Sequence, residues 1–216
     1  MLFADLLQVL DPEPHGAALN MALDEALLRT ACAPLLRIYL WERPAASFGY
    51  FGAWQEAARA WPGRELVRRW TGGGIVPHGE DVTYTLIIPR GHPFYACSPR
   101  ESYRSIHAAI ASAIGAGSLA PSAAPKISEA CFENAAQHDV LLAGRKIAGA
   151  AQRRTRLGLL HQGSIQPVED RARISAGLGS VLASQISTIA LSPEIRTLAA
   201  EIAAERYQQD AWKQRR

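Results

Sequence analysis

Cysteine, long apolar runs and a dominant charge are all scarce in this chain of 216 residues. No window approaches the ~20 consecutive apolar residues of a membrane-spanning helix. The N-terminus has no basic segment followed by a long apolar stretch, so no secretory signal is expected. The three cysteines, Cys32, Cys97 and Cys131, form no CxxC pair and no zinc pattern, and their odd number argues against a disulfide framework. A reducing cytoplasm is the expected setting, and each thiol is then a core residue or a nucleophile. The net charge is only +3. Seven basic residues fall between Arg145 and Arg173, and Lys213, Arg215 and Arg216 close the chain. That signature is too weak for nucleic-acid binding; a basic patch for an acidic protein or a phosphate fits it as well.

What is present is the composition of a folded domain. With 48% hydrophobic and 20% charged residues, the chain can build a substantial core. The length fits one domain, 1–216, with no repeats and no clear linker. Helical spacing predicts a helix over Ala17–Thr30, with Leu19, Leu23, Ala26 and Leu27 on one face, and another over Pro99–Gly115, with Tyr103, Ile106, Ile110 and Ile114. A short helix is expected over Gln55–Trp61, and two close the chain, over Val168–Leu178 and Ser192–Arg215. Strands are expected over Pro34–Trp41, Ala46–Gly52, Glu65–Arg69, Val82–Ile88, Val140–Leu142, Lys146–Gln152 and Leu157–Ile165. The stretch from Gly115 to Pro125 reads as a surface loop. Strand pairs mixed with helices predict an α+β domain, a mixed, mainly antiparallel sheet carrying helices on one face.

Two segments are dense in chemistry. The first is Arg68-Arg69-Trp70-Thr71-Gly72-Gly73-Gly74-Ile75-Val76-Pro77-His78. Three successive glycines let a backbone approach a ligand closely or take positive φ. Arginine beside them suits an anion, through directional charge-assisted hydrogen bonds. A glycine-rich hairpin turn with solvated arginines satisfies the same residues. His78 could orient a ligand or move a proton, the usual work of an imidazole, and Asp81 could cap or orient the loop.

The second segment runs from Cys131-Phe132 through His138-Asp139 to Gly144-Arg145-Lys146-Ile147-Ala148-Gly149-Ala150-Ala151. Lys146 opens a strand of small residues that leaves room for an elongated ligand. It could hold a carboxylate, a phosphate or a thioester carbonyl, or simply blunt a strand edge. Cys131 would need nearby cations or backbone N–H groups to serve as a thiolate; otherwise it is a buried small hydrophobe. Cys32 and Cys97 have no such polar neighbourhood and are assigned to structure. His161-Gln162-Gly163-Ser164 adds a histidine that reads as supporting rather than catalytic.

From Leu19-Asn20-Met21-Ala22-Leu23-Asp24-Glu25 through His161-Gln162-Gly163-Ser164-Ile165, the sequence resembles the catalytic domain of the lipoate–protein ligase and octanoyltransferase superfamily, related in fold to biotin–protein ligase. The Arg-Thr-Gly-Gly-Gly loop, the Lys146 strand and the late His-x-Gly-Ser block carry the likeness. The resemblance implies a mixed sheet forming a tunnel for a medium-length acyl chain. It makes Cys131 and Lys146 the catalytic pair, with Lys146 on the acyl carbonyl. It makes Arg69, Thr71, Gly72, Gly73, Gly74, His78, Gly149 and Ala150 substrate-binding, and it implies no resident metal. The acceptor would be a lysine on a small lipoyl domain, commonly acidic, which the Arg153-Arg154-Thr155-Arg156 turn suits.

The superfamily divides by chemistry. Octanoyltransferases take octanoyl from acyl carrier protein through a cysteine thioester, without a cofactor. Ligases activate lipoate with ATP and Mg²⁺. The fifteen-residue step from Cys131-Phe132 to Lys146 resembles the ligase-like transferase branch. So does the short stretch of about fifty residues after Ile165, where ligases usually carry an accessory domain. Asn134 to Asp139 stand where that branch usually has a proline and an aromatic, and the triple glycine is closer to many ligases. Octanoyl transfer is the first reading, ATP-dependent ligation the second, and a non-catalytic acyl-binding domain the third.

Overall fold

The structure, a computed structural model, describes residues 1–115, 117–123, 135–166 and 170–215. Its strands are β1 (Phe3–Leu10), β2 (Leu35–Tyr39), β3 (Ala45–Phe48), β4 (Glu65–Arg68), β5 (Val76–His78), β6 (Val82–Pro89), β7 (Ser118–Leu119), β8 (Val140–Leu142), β9 (Arg145–Arg154), β10 (Gly158–Ile165) and β11 (Ala183–Ala190). The helices are α1 (Ala17–Thr30), α2 (Trp54–Ala60), α3 (Pro99–Ile114), α4 (Arg171–Leu182), α5 (Pro193–Ile202) and α6 (Asp210–Lys213). Eight strands form one sheet in the order β11-β1-β2-β6-β10-β9-β8-β7, and three form a second in the order β4-β3-β5. In the large sheet β1 runs parallel to both β11 and β2, and every later pairing is antiparallel. The α+β class and the mixed, mainly antiparallel sheet are as the sequence predicts. Among the described residues no helix is long and apolar enough to cross a membrane.

The layering differs from the expectation of helices on one face. Every residue of β6 and β10 is buried, because helices cover both sides of the sheet. Leu86 and Ile88 pack with Ile106 and Ile110 of α3 and with Ile174 and Leu178 of α4. Ile87 and Leu160 point the other way, to Leu23 and Leu27 of α1 and Ala199 and Ile202 of α5. The run Leu86-Ile87-Ile88 is the sequence sign of this arrangement, since a strand buried on both faces loses its alternation.

Four other elements depart from the sequence reading. β1 and β11 are unforeseen strands. β1 buries Phe3, Leu6 and Val9, a spacing of three that mimics a helix, and β11 exposes most of its residues at the sheet edge. α4 runs through Gly177 and Gly179 rather than ending there. The last helix is broken: α5 gives way to a π turn over Ala203–Tyr207, and α6 is a single turn.

Candidate functional site

The glycine loop connects β4 to β5 within the small sheet, and Arg69 organises it. Neighbouring residues on a strand face opposite ways, so Arg68 and Arg69 part company. Arg69 donates to the carbonyls of Gly72 and Gly74, both at 2.9 Å, and to the Ser47 hydroxyl at 2.7 Å. Gly73 sits at φ +90°, a left-handed conformation that costs glycine nothing. Thr71 is buried and donates to Gln162 Oε1 on β10 at 2.7 Å; Gln162 Nε2 donates to Asp24 on α1 at 2.7 Å. Asp24 also accepts from the fully buried Arg37, which bonds Asp11 on its other side. A buried arginine between two carboxylates needs that pairing to offset desolvation. The loop is thus tied to α1 and β10 by a chain of satisfied polar groups.

Lys146 is the second residue of β9, and its side chain is almost fully buried. Its ammonium lies 2.7 Å from Asp139 Oδ2. Asp139 is itself oriented from two directions: the Ala136 N–H donates to Oδ2 at 2.6 Å, and the Tyr103 hydroxyl of α3 donates to Oδ1. The Ala150 N–H donates to that same tyrosine oxygen at 3.1 Å. Burial and the adjacent carboxylate push the Tyr103 phenol well above its ordinary pKa, so it remains a donor. Lys146 is therefore a positioned cation.

His78 ends β5, and its Nδ1 lies 2.9 Å from Asp81 Oδ2 while its Nε2 lies 2.6 Å from Ser47 Oγ on β3. Thr83 and Ser164 also donate to Asp81 Oδ2, at 2.7 and 2.6 Å. Burial alone would raise the Asp81 carboxyl, but the His78 ring and these hydrogen bonds outweigh it and hold the pKa at about 2. Trp41 stacks on the imidazole with centroids 4.1 Å apart and an interplanar angle of 14°.

Between these groups runs a narrow cavity of about 30 Å³. Of the residues singled out from the sequence, Arg69, Gly73, His78, Gly149 and Ala150 line it, as do Ser47 and Gln162. Lys146 lies directly behind Gly149. Thr71, Gly72 and Gly74 act one step back: Thr71 turns to Gln162, and the two glycine carbonyls hold Arg69. Cys131 lies outside the described residues. Cys32 is exposed and Cys97 half-buried, so neither fills the core; both sit on connectors at element ends. His161 is buried against Tyr84 and Gln152, a supporting position. Of the basic turn, Arg154 faces inward to the Tyr95 carbonyl and Ser102, Arg153 packs between Tyr50 and Trp70, and Arg156 is exposed.

Sequence reasoning missed Asp139 as the partner of Lys146, along with Tyr103 and Ser47. Tyr103 had read as one more apolar position on α3. Only the packing of α3 against β8 and β9 brings it to Asp139, 36 positions away.

A family described as the lipoyl protein ligase A/B catalytic domain matches residues 16–186. Octanoyltransferase LipM of Oceanobacillus iheyensis is 37% identical over 170 residues, covering 72% of this chain and 62% of that protein. Octanoyltransferase LipM of Staphylococcus aureus is 35% identical over 166 residues, covering 68% and 60%. The chain thus spans about three fifths of the length of these curated relatives. In fold it is similar to lipoate-protein ligase A bound with ATP, with a TM-score of 0.74 at 18% identity, covering 99% of each chain. It is also similar to a bi-partite lipoate protein ligase from Thermoplasma acidophilum, with a TM-score of 0.72 at 19% identity, covering 99% of this chain and 97% of that one.

Proposed function

The chain belongs to the lipoyl protein ligase A/B catalytic domain family, and from that premise we propose that it is an acyltransferase of protein lipoylation. It moves an octanoyl or lipoyl group to a lysine of a lipoyl domain through a thioester on Cys131, with acyl carrier protein as the octanoyl donor and no cofactor. The setting is a reducing cytoplasm, where the thiol stays available.

One observation carries this reading: a buried lysine, held by a carboxylate, stands behind the glycine that lines the cavity. In acyl transfer, negative charge develops on the carbonyl oxygen. A fixed cation beside it lowers the barrier because it needs no reorganisation at the moment of reaction. The bond-making steps are two. The Cys131 thiolate attacks the octanoyl thioester and expels the carrier thiol; the acceptor amine then attacks the enzyme thioester and expels Cys131. Arg69 fixes the wall through Gly72 and Gly74, and Gly149 and Ala150 keep the opposite wall free of bulk where an entering acyl chain must widen the narrow cavity. The relatives named octanoyltransferase support the transferase branch.

The ligase reading stands second: the chain shares its fold with lipoate-protein ligase A bound with ATP, but the relatives named octanoyltransferase, at 35–37% identity, favour the transferase. The test supplies the chain and a lipoyl domain with either octanoyl-acyl carrier protein, or lipoate with ATP and Mg²⁺. We expect octanoylation in the first arm, an octanoyl adduct on Cys131 by intact mass, and loss of both in Cys131→Ala. Modification in the second arm alone, or full activity of Cys131→Ala, would establish the ligase instead. Tight acyl binding without turnover in either arm would mark an acyl-binding domain.

A further inference from the structure

The acyl-transfer reading leaves one chemical need unmet. The acceptor lysine arrives as an ammonium and attacks only as a free amine. Lys146 cannot supply a base while it is the cation paired with Asp139. His107 and His161 are buried elsewhere, among the aromatic rings under α3. Among the described residues, His78 is the one imidazole in the cavity wall.

Its surroundings are those of a general base. Nδ1 donates to the Asp81 carboxylate, which fixes the tautomer and leaves the Nε2 lone pair toward the Ser47 hydroxyl. Ser47 Oγ also accepts from Arg69 at 2.7 Å. Hydroxyl, imidazole and carboxylate in one hydrogen-bonded line is the arrangement that moves protons in acyl-transfer enzymes on unrelated folds. The ring is immobilised by Trp41 on its face, and the His78 carbonyl by Arg64 at 2.7 Å. His78 and Trp41 also line a wider groove of about 510 Å³. The imidazole therefore borders both the cavity and this groove. The charged groups that face it are Asp81 directly, Arg69 through Ser47, and Glu42, Arg43, Arg64 and Glu80 around the wider groove.

We propose that Ser47, His78 and Asp81 form the relay that takes the proton from the incoming acceptor amine. The inference rests on the acyl-transfer reading. In the step, Ser47 gives its hydrogen to His78 Nε2 and receives one from the ammonium, so the relay gains one proton at His78. The amine nitrogen bonds to the thioester carbon, and the carbon–sulfur bond breaks with its electron pair on Cys131. The second nitrogen proton goes to that thiolate. The products are an amide, a Cys131 thiol and an imidazolium that returns its proton to water.

The experiment separates the two half-reactions in single turnover with the full chain, octanoyl-acyl carrier protein and a lipoyl domain. His78 borders the acyl cavity, so for His78→Gln we expect acylation to slow, but by less than transfer, so that octanoyl-Cys131 accumulates. Transfer to the lipoyl domain should fall at least ~100-fold at pH 7, the lower end for a lost general base, and recover toward pH 10 as the acceptor amine deprotonates unaided. Ser47→Ala is read in the same way and keeps the test decisive if the histidine variant does not fold. Acylation and transfer falling by the same factor, or transfer that is unchanged, would overturn the relay. Absence of octanoyl-Cys131 in the parent chain would overturn the acyl-transfer reading and the relay with it.

Discussion

Gly149 leaves the space that Lys146 occupies. A Cβ built on Gly149 would lie 2.6 Å from Lys146 Cε and 2.8 Å from Nζ, with Asp139 Oδ1 at 3.4 Å. The lysine therefore reaches its carboxylate across the bare backbone of a residue three positions on, and that residue also lines the cavity.

Gly149→Ala should cripple the site without unfolding the chain. The added methyl must push the ammonium away from Asp139 or from the cavity, and a displacement of about 1 Å at a catalytic group can cost ~100-fold in rate. We expect kcat/KM for acyl transfer to fall by about that factor, while the thermal midpoint drops by only a few degrees. The check is steady-state transfer beside a melting curve; a variant within threefold of the parent rate would show that Lys146 has room to give.

The motif residues were legible because each needs a particular local backbone or chemistry. Gly73 needs positive φ, Arg69 needs carbonyls to hold, and Lys146 precedes a strand of small residues. Their partners were not, because partners are set by topology. Ser47 reaches His78 only because β3 pairs with β5, and Asp139 meets Tyr103 only across the packing of α3. β1 stayed hidden because its inward residues recur every third position, and β11 because a mostly exposed edge strand has no apolar alternation to read. The polar half of the site is written in the sequence as residue types but not as pairs.

Arg68 shows how far the backbone decides a side chain's task. One position before Arg69, it turns from the cavity and aims its five N–H donors at carbonyls: Tyr50 and Gly52 at 2.7 Å, Trp212 and Lys213 at 2.9 Å, and Arg215 at 2.8 Å. The Trp212 indole N–H returns a bond to the Arg68 carbonyl at 3.1 Å. Lysine has three donors and no planar fork, so Arg68→Lys should release part of this clasp. We expect a stability loss of about 1–3 kcal/mol and faster amide hydrogen exchange over 209–215 and 50–52, with exchange in β6 unchanged. Protection over 209–215 equal to the parent's would mean that the segment is held by its aromatic contacts instead.

The buried histidines make stability depend on pH in a definite window. His107 is fully buried; its Nδ1 donates to the His138 carbonyl at 2.8 Å, and its Nε2 has no hydrogen-bond partner among the described residues. Burial outweighs the attraction of Asp139, 4.0 Å away, and pushes the His107 pKa down to about 4. Burial likewise pushes His161 well below its usual range. An unfolded imidazole takes its proton near pH 6.5. Between about 6.5 and 4 the unfolded chain therefore binds more protons than the folded one, and stability falls as pH falls, by ~1.4 kcal/mol per pH unit for each such ring. Asp81 acts in a lower window: its stabilisation is intact above its unfolded pKa of about 4 and is lost only as pH approaches about 2. Urea midpoints measured from pH 7.5 to 4.5 should decline steadily. His107→Phe, which keeps a ring in the space but carries no titratable nitrogen, should flatten that decline by about one ring's share. A slope unchanged by the substitution would mean that His107 admits a proton while folded, most directly through its Nε2.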